Sequence, residues 1–134
     1  MTTTTRATGK VVMQDWKDER YADVEGAPKL TLDRVKYTFS GDIEGEATAE
    51  ILNAYRDDTA ATYCGYQRVV GKLAGRSGSF VIHVTGKFEN GAATNTWSIV
   101  PGMGTGQLAE LRGEGGYVSR MDGSEPYKLD YHFG

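Results

Sequence analysis

Ile82-His-Val-Thr-Gly-Lys-Phe-Glu-Asn-Gly-Ala-Ala-Thr-Asn-Thr-Trp-Ser-Ile99 decides how the rest of the chain is read. Asn90-Gly91 at its centre suits a type I′ turn, which needs positive φ at both middle residues. A two-residue turn there pairs Val84 with Trp97 and Ile82 with Ile99. The alternate residues then place Lys87, Thr85 and His83 opposite Thr94, Thr96 and Ser98. One face of the hairpin is apolar and the other polar, as a half-buried antiparallel pair requires. The apolar face, with Phe80 and Phe88 added, should point inward.

Working outward, the same alternation predicts strands over residues 7–16, 30–40, 44–55, 60–71, 79–89, 92–100, 115–120 and 127–133. The 18 glycines fall between alternating segments, while proline is low at 3, a pattern suited to strand ends and barrel bends. Eight short strands with turn signals between them predict an all-β fold, a single small antiparallel eight-stranded β-barrel. Residues 18–29 are polar and predict a loop over one rim, where Trp16 and Tyr21 could close the mouth. Residues 107–112 allow at most one short helical turn, since Leu108 and Leu111 are three apart. The 134 residues suit one barrel domain, 1–134, with 1–5 a frayed polar terminus.

Two further turns set the facing of the strands between. Gly41-Asp42 suits a II′ turn with glycine first, pairing Tyr37 with Glu46 and Val35 with Thr48. Asp57-Asp58 as a two-residue turn pairs Leu52 with Tyr63, Glu50 with Gly65 and Thr48 with Gln67. Together they place Val35, Tyr37, Glu46, Thr48, Glu50, Leu52, Tyr63 and Gln67 on one face. One extra residue in the first turn would instead set Arg34 against Glu50 as a surface ion pair. The even turn is preferred.

A net charge of −3 argues against a nucleic-acid binder, because neutralising phosphates needs a basic surface. No apolar run is long enough for a membrane span, and the start lacks a signal core, so a cytoplasmic location is expected. Cys64 is the only cysteine, which excludes an internal disulfide and a cysteine metal cluster; it reads as a small buried hydrophobe. His83 and His132 share no metal-ligand spacing, and neither metal nor cofactor is expected. His83 facing Ser98 lacks the nucleophile elbow of a hydrolase, and 102–106 lacks the Gly-Lys-Ser/Thr of a phosphate loop.

Several strings resemble a known family. Phe39-Ser-Gly-Asp-Ile-Glu-Gly-Glu46, Gly71-Lys-Leu-Ala-Gly-Arg-Ser-Gly-Ser-Phe80, Trp97-Ser-Ile-Val-Pro101, Gly104-Thr-Gly-Gln-Leu108, Leu111-Arg-Gly-Glu-Gly115 and Tyr127-Lys-Leu-Asp-Tyr131 resemble an uncharacterised bacterial domain-of-unknown-function family. The resemblance spans nearly the whole chain. That family is similar in fold to the allene oxide cyclase and dirigent proteins, eight-stranded barrels that hold a flexible apolar molecule in one shape. Those relatives often form trimers, so the resemblance implies a dimer or trimer. Gln67 stands where the family tends to have Glu, and His83-Val84 where it tends to have Gln-His.

Two groups of residues then carry the functional expectation. Glu46 and Glu50, beside Gln67 and Tyr37, would line an apolar hollow, where desolvation raises a carboxyl pKa and suits one of them to general acid–base work. The alternative puts both glutamates outside, as is common on strands. Tyr37, Tyr63, Gln67, Phe80, Ile82, Trp97 and Tyr131 would hold the substrate against aromatic walls, or simply pack the core. The expected function is a barrel that binds a small, largely apolar molecule and guides its cyclisation or isomerisation without a cofactor. A non-catalytic binding barrel and a solid-core structural or oligomerisation module are the alternatives.

Overall fold

Period-two alternation commits eight long segments to strands, and each has an apolar face to hide. The computed structural model describes residues 3–120 and 123–134. Its strands are β1 (Thr5–Tyr21), β2 (Leu30–Gly41), β3 (Ile43–Asp57), β4 (Ala60–Leu73), β5 (Arg76–Glu89), β6 (Ala92–Ile99), β7 (Thr105–Gly106), β8 (Leu111–Arg120), β9 (Gly123–Ser124) and β10 (Tyr127–Phe133). The wall runs β10-β1-β2-β3-β4-β5-β6-β8, and β8 pairs with β10 to close it. The result is an antiparallel eight-stranded barrel, with two-residue β7 on β5 and β9 on β8 outside the ring. None of the described residues is helical; 107–110 forms tight turns instead and 111–112 already belong to β8, with Leu108 N donating to Thr105 O and Leu111 N to Leu108 O.

The β5–β6 hairpin has the expected register, Ile82 with Ile99 and Val84 with Trp97. Asn90 and Gly91 both have positive φ, 53° and 75°, as the type I′ turn requires. β1 exceeds its expected end, pairing with β2 as far as Tyr21 with Leu30, so residues 18–21 of the expected rim loop are strand while 22–29 remain a loop.

The other two turns differ from expectation. Tyr37 pairs with Ala47, Val35 with Ala49 and Arg34 with Glu50, one residue from the preferred register. Tyr127 explains the longer turn. Its buried hydroxyl accepts from Ile43 N at 3.0 Å and donates to Ser40 O at 3.0 Å, occupying the space a two-residue turn would close. Asp42 is held elsewhere: its N donates to Thr8 O, its carbonyl accepts from Ala74 N and its carboxylate accepts from Thr8 N. Ile43 is thereby buried completely.

The second turn is Asp58-Thr59, not Asp57-Asp58, with Asp57 paired to Ala60. Asp57 Oδ1 accepts from both the amide and hydroxyl of Thr59, at 2.8 and 2.6 Å, an Asx-type turn. A bulge between Tyr55 and Asp57 takes up the extra residue, so Leu52 pairs with Cys64. The two one-residue slips cancel across β3. That strand alone turns over, while β2 and β4 keep their expected facing.

The interior has two unlike halves. Toward the loop joining β6 to β8, Phe39, Ile43, Val69, Leu73, Phe80, Ile99, Leu111, Leu129 and Tyr131 fill the barrel, and Leu108 from that loop is fully buried among them. An aromatic floor ends this half: Trp97 lies 5.8 Å from Phe39 and 5.7 Å from Tyr127 between ring centres. Above it the barrel is hollow.

Candidate functional site

A hollow of about 190 Å³ opens toward the β1–β2 and β5–β6 connections. Trp97 forms its base, and Val35, Ala49, Ile51 and Val84 its apolar wall. The opening follows from the pairing. β10 covers β1 only over Thr5–Gly9, so beyond Gly9 β1 pairs among the described residues with β2 alone. β8 past Gly116 likewise has lost β10. Met13 and Trp16 of β1 therefore face Tyr117, Ser119 and Ser124 across a gap in the wall.

Polar groups converge on this space from inward positions of successive strands. On β2, Thr31 and Asp33 continue the inward face of Val35 and Tyr37 and are buried. Asn53 Nδ2 donates to Thr31 Oγ1 at 3.2 Å, and Thr31 Oγ1 donates to Asp33 Oδ1 at 3.1 Å. Trp16 Nε1 donates to the other oxygen, Oδ2, at 3.1 Å. Asp33 is thus oriented by neutral donors on two sides. Opposite, the Tyr63 hydroxyl donates to Asn95 Oδ1 at 2.6 Å, and Asn95 Nδ2 donates to Tyr117 O at 3.3 Å. Gln67 is 3% exposed, and its Nε2 has no hydrogen-bond partner. Leaving a buried donor unmade costs about 1–3 kcal/mol, so this amide is the anomaly of the site.

Three phenols share the hollow and stay protonated. Burial pushes Tyr37 up to about 12, with the nearby Asp33 adding to it. Burial also raises Tyr63 and Tyr117, and each is raised further by its phenolic neighbours. An unfolded tyrosine ionises near pH 10. Between roughly pH 10 and 12 the folded protein therefore binds more protons than the unfolded chain, and stability falls as pH rises. Below pH ~10 this contribution is constant. Tyr37→Phe should remove its share of the fall, about 1 kcal/mol at pH 11, read from urea unfolding at pH 9 and 11. An unchanged slope would mean that Tyr37 titrates as freely as an exposed phenol.

The expected site residues divide into three groups. Tyr37, Tyr63, Gln67 and Trp97 line the hollow. Phe80, Ile82 and Tyr131 belong to the core cluster but do not line the hollow. Glu46 and Glu50 lie on the outer face and are exposed, because β3 is turned over relative to the expected register. Glu50 Oε1 meets Arg34 Nε at 3.2 Å, the surface ion pair of the longer turn. Inward β3 positions belong instead to Ala47, Ala49, Ile51 and Asn53. Cys64 is exposed rather than buried, since Tyr63 and Gln67 take the inward positions beside it. His83 is also on the outside, its ring 5.1 Å from that of Tyr66.

Asp33, Thr31, Asn53, Asn95 and Tyr117 were not singled out from the sequence. The signal for Asp33 was present: it stands two residues before Val35, on the face that Val35, Tyr37 and Phe39 define. A second concavity of about 920 Å³ lies on the outer face of β2 to β5, lined by Leu52, Cys64, Tyr66 and Met103 among others. It is larger but mostly apolar, and it holds no unpartnered buried amide. Among the described residues no group of three or more His, Cys, Asp or Glu is placed to hold a metal, and no helix is long and apolar enough to cross a membrane.

Comparison with the curated proteins gives no match. Among solved structures, a protein of unknown function from the DUF3224 family of Shewanella oneidensis MR-1 is similar, with 32% identity, 98% of each chain covered and a TM-score of 0.80. The family model described as "Protein of unknown function (DUF3224)" matches residues 7–131, all eight wall strands in whole or large part. The chain belongs to the DUF3224 family.

Proposed function

We propose that the barrel binds one small molecule, about a single ring in size, in the hollow above Trp97. The observation that carries this reading is Gln67, a buried amide on the wall whose donor is unmade. A ligand acceptor would satisfy it once the amide turns toward the hollow, because the nitrogen itself is fully enclosed. Size sets the rest: a dry cavity of roughly 150 Å³ accommodates benzene, and this hollow is about 190 Å³. A long flexible chain does not fit inside. Guided isomerisation or cyclisation is the second reading, favoured by a carboxylate and three phenols on one hollow. Its proton-transfer group would be Asp33, with the outward Glu46 and Glu50 having no part in it.

The test titrates one-ring probes with neutral, positive and negative head groups and follows tryptophan emission and probe NMR line widths. Saturable binding of at least one probe is expected. Ala93→Phe, which fills the hollow from its rim, should abolish it. Gln67→Leu should weaken an acceptor-bearing probe up to about tenfold, the worth of one hydrogen bond. Glu46→Gln and Glu50→Gln should leave binding unchanged. If no probe binds, or if binding survives Ala93→Phe, the reading fails.

A further inference from the structure

Among the described side chains lining the hollow, Asp33 is the one carboxylate, and no Lys, Arg or His accompanies it. It is 8% exposed, yet it takes part in none of the ion pairs formed by the described residues. Its two hydrogen bonds come from neutral groups, the Trp16 indole and the Thr31 hydroxyl. A carboxylate offers about four acceptor sites, so roughly two stay open. Buried charges are ordinarily paired, because desolvation is costly without an opposite charge.

The remaining walls suit a cation. Five aromatic rings, those of Trp16, Tyr37, Tyr63, Trp97 and Tyr117, surround the same space. Aromatic faces attract an ammonium group through their quadrupole, more strongly when water is excluded. Burial holds the three phenols in their neutral form, so they add no competing cation and no second anion. Gln67 lines the same space, and its unpartnered amide, turned toward the hollow, adds one donor for a ligand acceptor.

Resting on the small-molecule reading above, we infer that the hollow selects a compact organic ammonium compound, its cationic nitrogen against Asp33 within the aromatic walls and a hydrogen-bond acceptor toward Gln67. An anionic ligand of the same size is rejected, since it would meet the Asp33 carboxylate with no basic group among the described lining residues to offset it.

Benzylamine, benzyl alcohol and benzoate share a ring and differ chiefly in charge. Calorimetric titration near neutral pH should rank benzylamine at least tenfold tighter than benzyl alcohol, with benzoate undetectable. Asp33→Asn should bring benzylamine down to the level of benzyl alcohol. If benzyl alcohol or benzoate binds wild-type protein as tightly as benzylamine, the cation inference is overturned while the small-molecule reading stands. If none of the three binds, both are overturned. If Asp33→Asn keeps the tenfold preference, Asp33 is not its source and the inference falls. Should Asp33→Asn not fold, the ranking on wild-type protein decides alone.

Discussion

Trp97→Ala should destabilise the protein by about 3–5 kcal/mol, the range for deleting a buried large aromatic side chain. Trp97 is 1% exposed and is the largest of the fully buried side chains. Its ring touches both halves of the barrel. Below it are Phe39 and Tyr127; beside it Tyr117 meets it edge-on at 5.5 Å. Alanine would leave a void continuous with the hollow, and the flanking strands are fixed by pairing with Val84 and Gly115, so collapse is limited. Urea unfolding reads the loss as a lower midpoint at unchanged slope. Trp16→Ala is the matched comparison. That ring is 50% exposed at the gap, and its loss should cost far less. A Trp97→Ala penalty under about 1 kcal/mol would mean that the aromatic floor is not close-packed.

The architecture was legible because its strongest signals are local. Asn90-Gly91 needs nothing beyond its own backbone to make a I′ turn, and the hairpin it predicts is the one observed. The Gly41 turn failed for a non-local reason. The hydroxyl that holds it open belongs to Tyr127, 84 residues from Ile43, and no local pattern shows that bond. The Asp57 turn failed by one residue because Thr59 draws the carboxylate and a bulge absorbs Arg56. Only β3 lost its facing, and Glu46 and Glu50 lay on β3. Tyr63 and Gln67 were placed inward because a second slip undid the first.

Site residues on β2 were missed for another reason. An aspartate at an inward position looks like an error in alternation unless a hollow is already in view. Its donors, Trp16 and Thr31, sit on two strands whose register depends on the bulge between Met13 and Asp15. The burial of Phe80, Ile82 and Tyr131 was legible, but not which half of the interior they fill. That depends on Leu108 reaching in from a loop with no alternation to announce it.

Gly115→Ala should be the other severe substitution, costing about 3 kcal/mol or more. A methyl group built there would sit 1.9 Å from the Lys128 carbonyl oxygen and 2.9 Å from the Leu129 Cα. These are backbone atoms of β10, so no side-chain rotation relieves the contact. The pairing of Gly115 with Leu129 lies in the seam that closes the barrel. Relief therefore means parting β8 from β10, which also disturbs the β6 pairing of Gly115 with Trp97. Gly91→Ala separates this crowding from ordinary backbone strain. Gly91 has φ +75° but nothing within 4 Å of an added methyl, so its cost should be the left-handed penalty alone, about 1–2 kcal/mol. Hydrogen exchange locates the damage: Gly115→Ala should expose amides along β8 and β10 first, whereas Gly91→Ala should loosen only the end of the β5–β6 hairpin. Equal losses from the two variants, or protection kept across the seam, would show that β8 and β10 approach less closely than the structure places them.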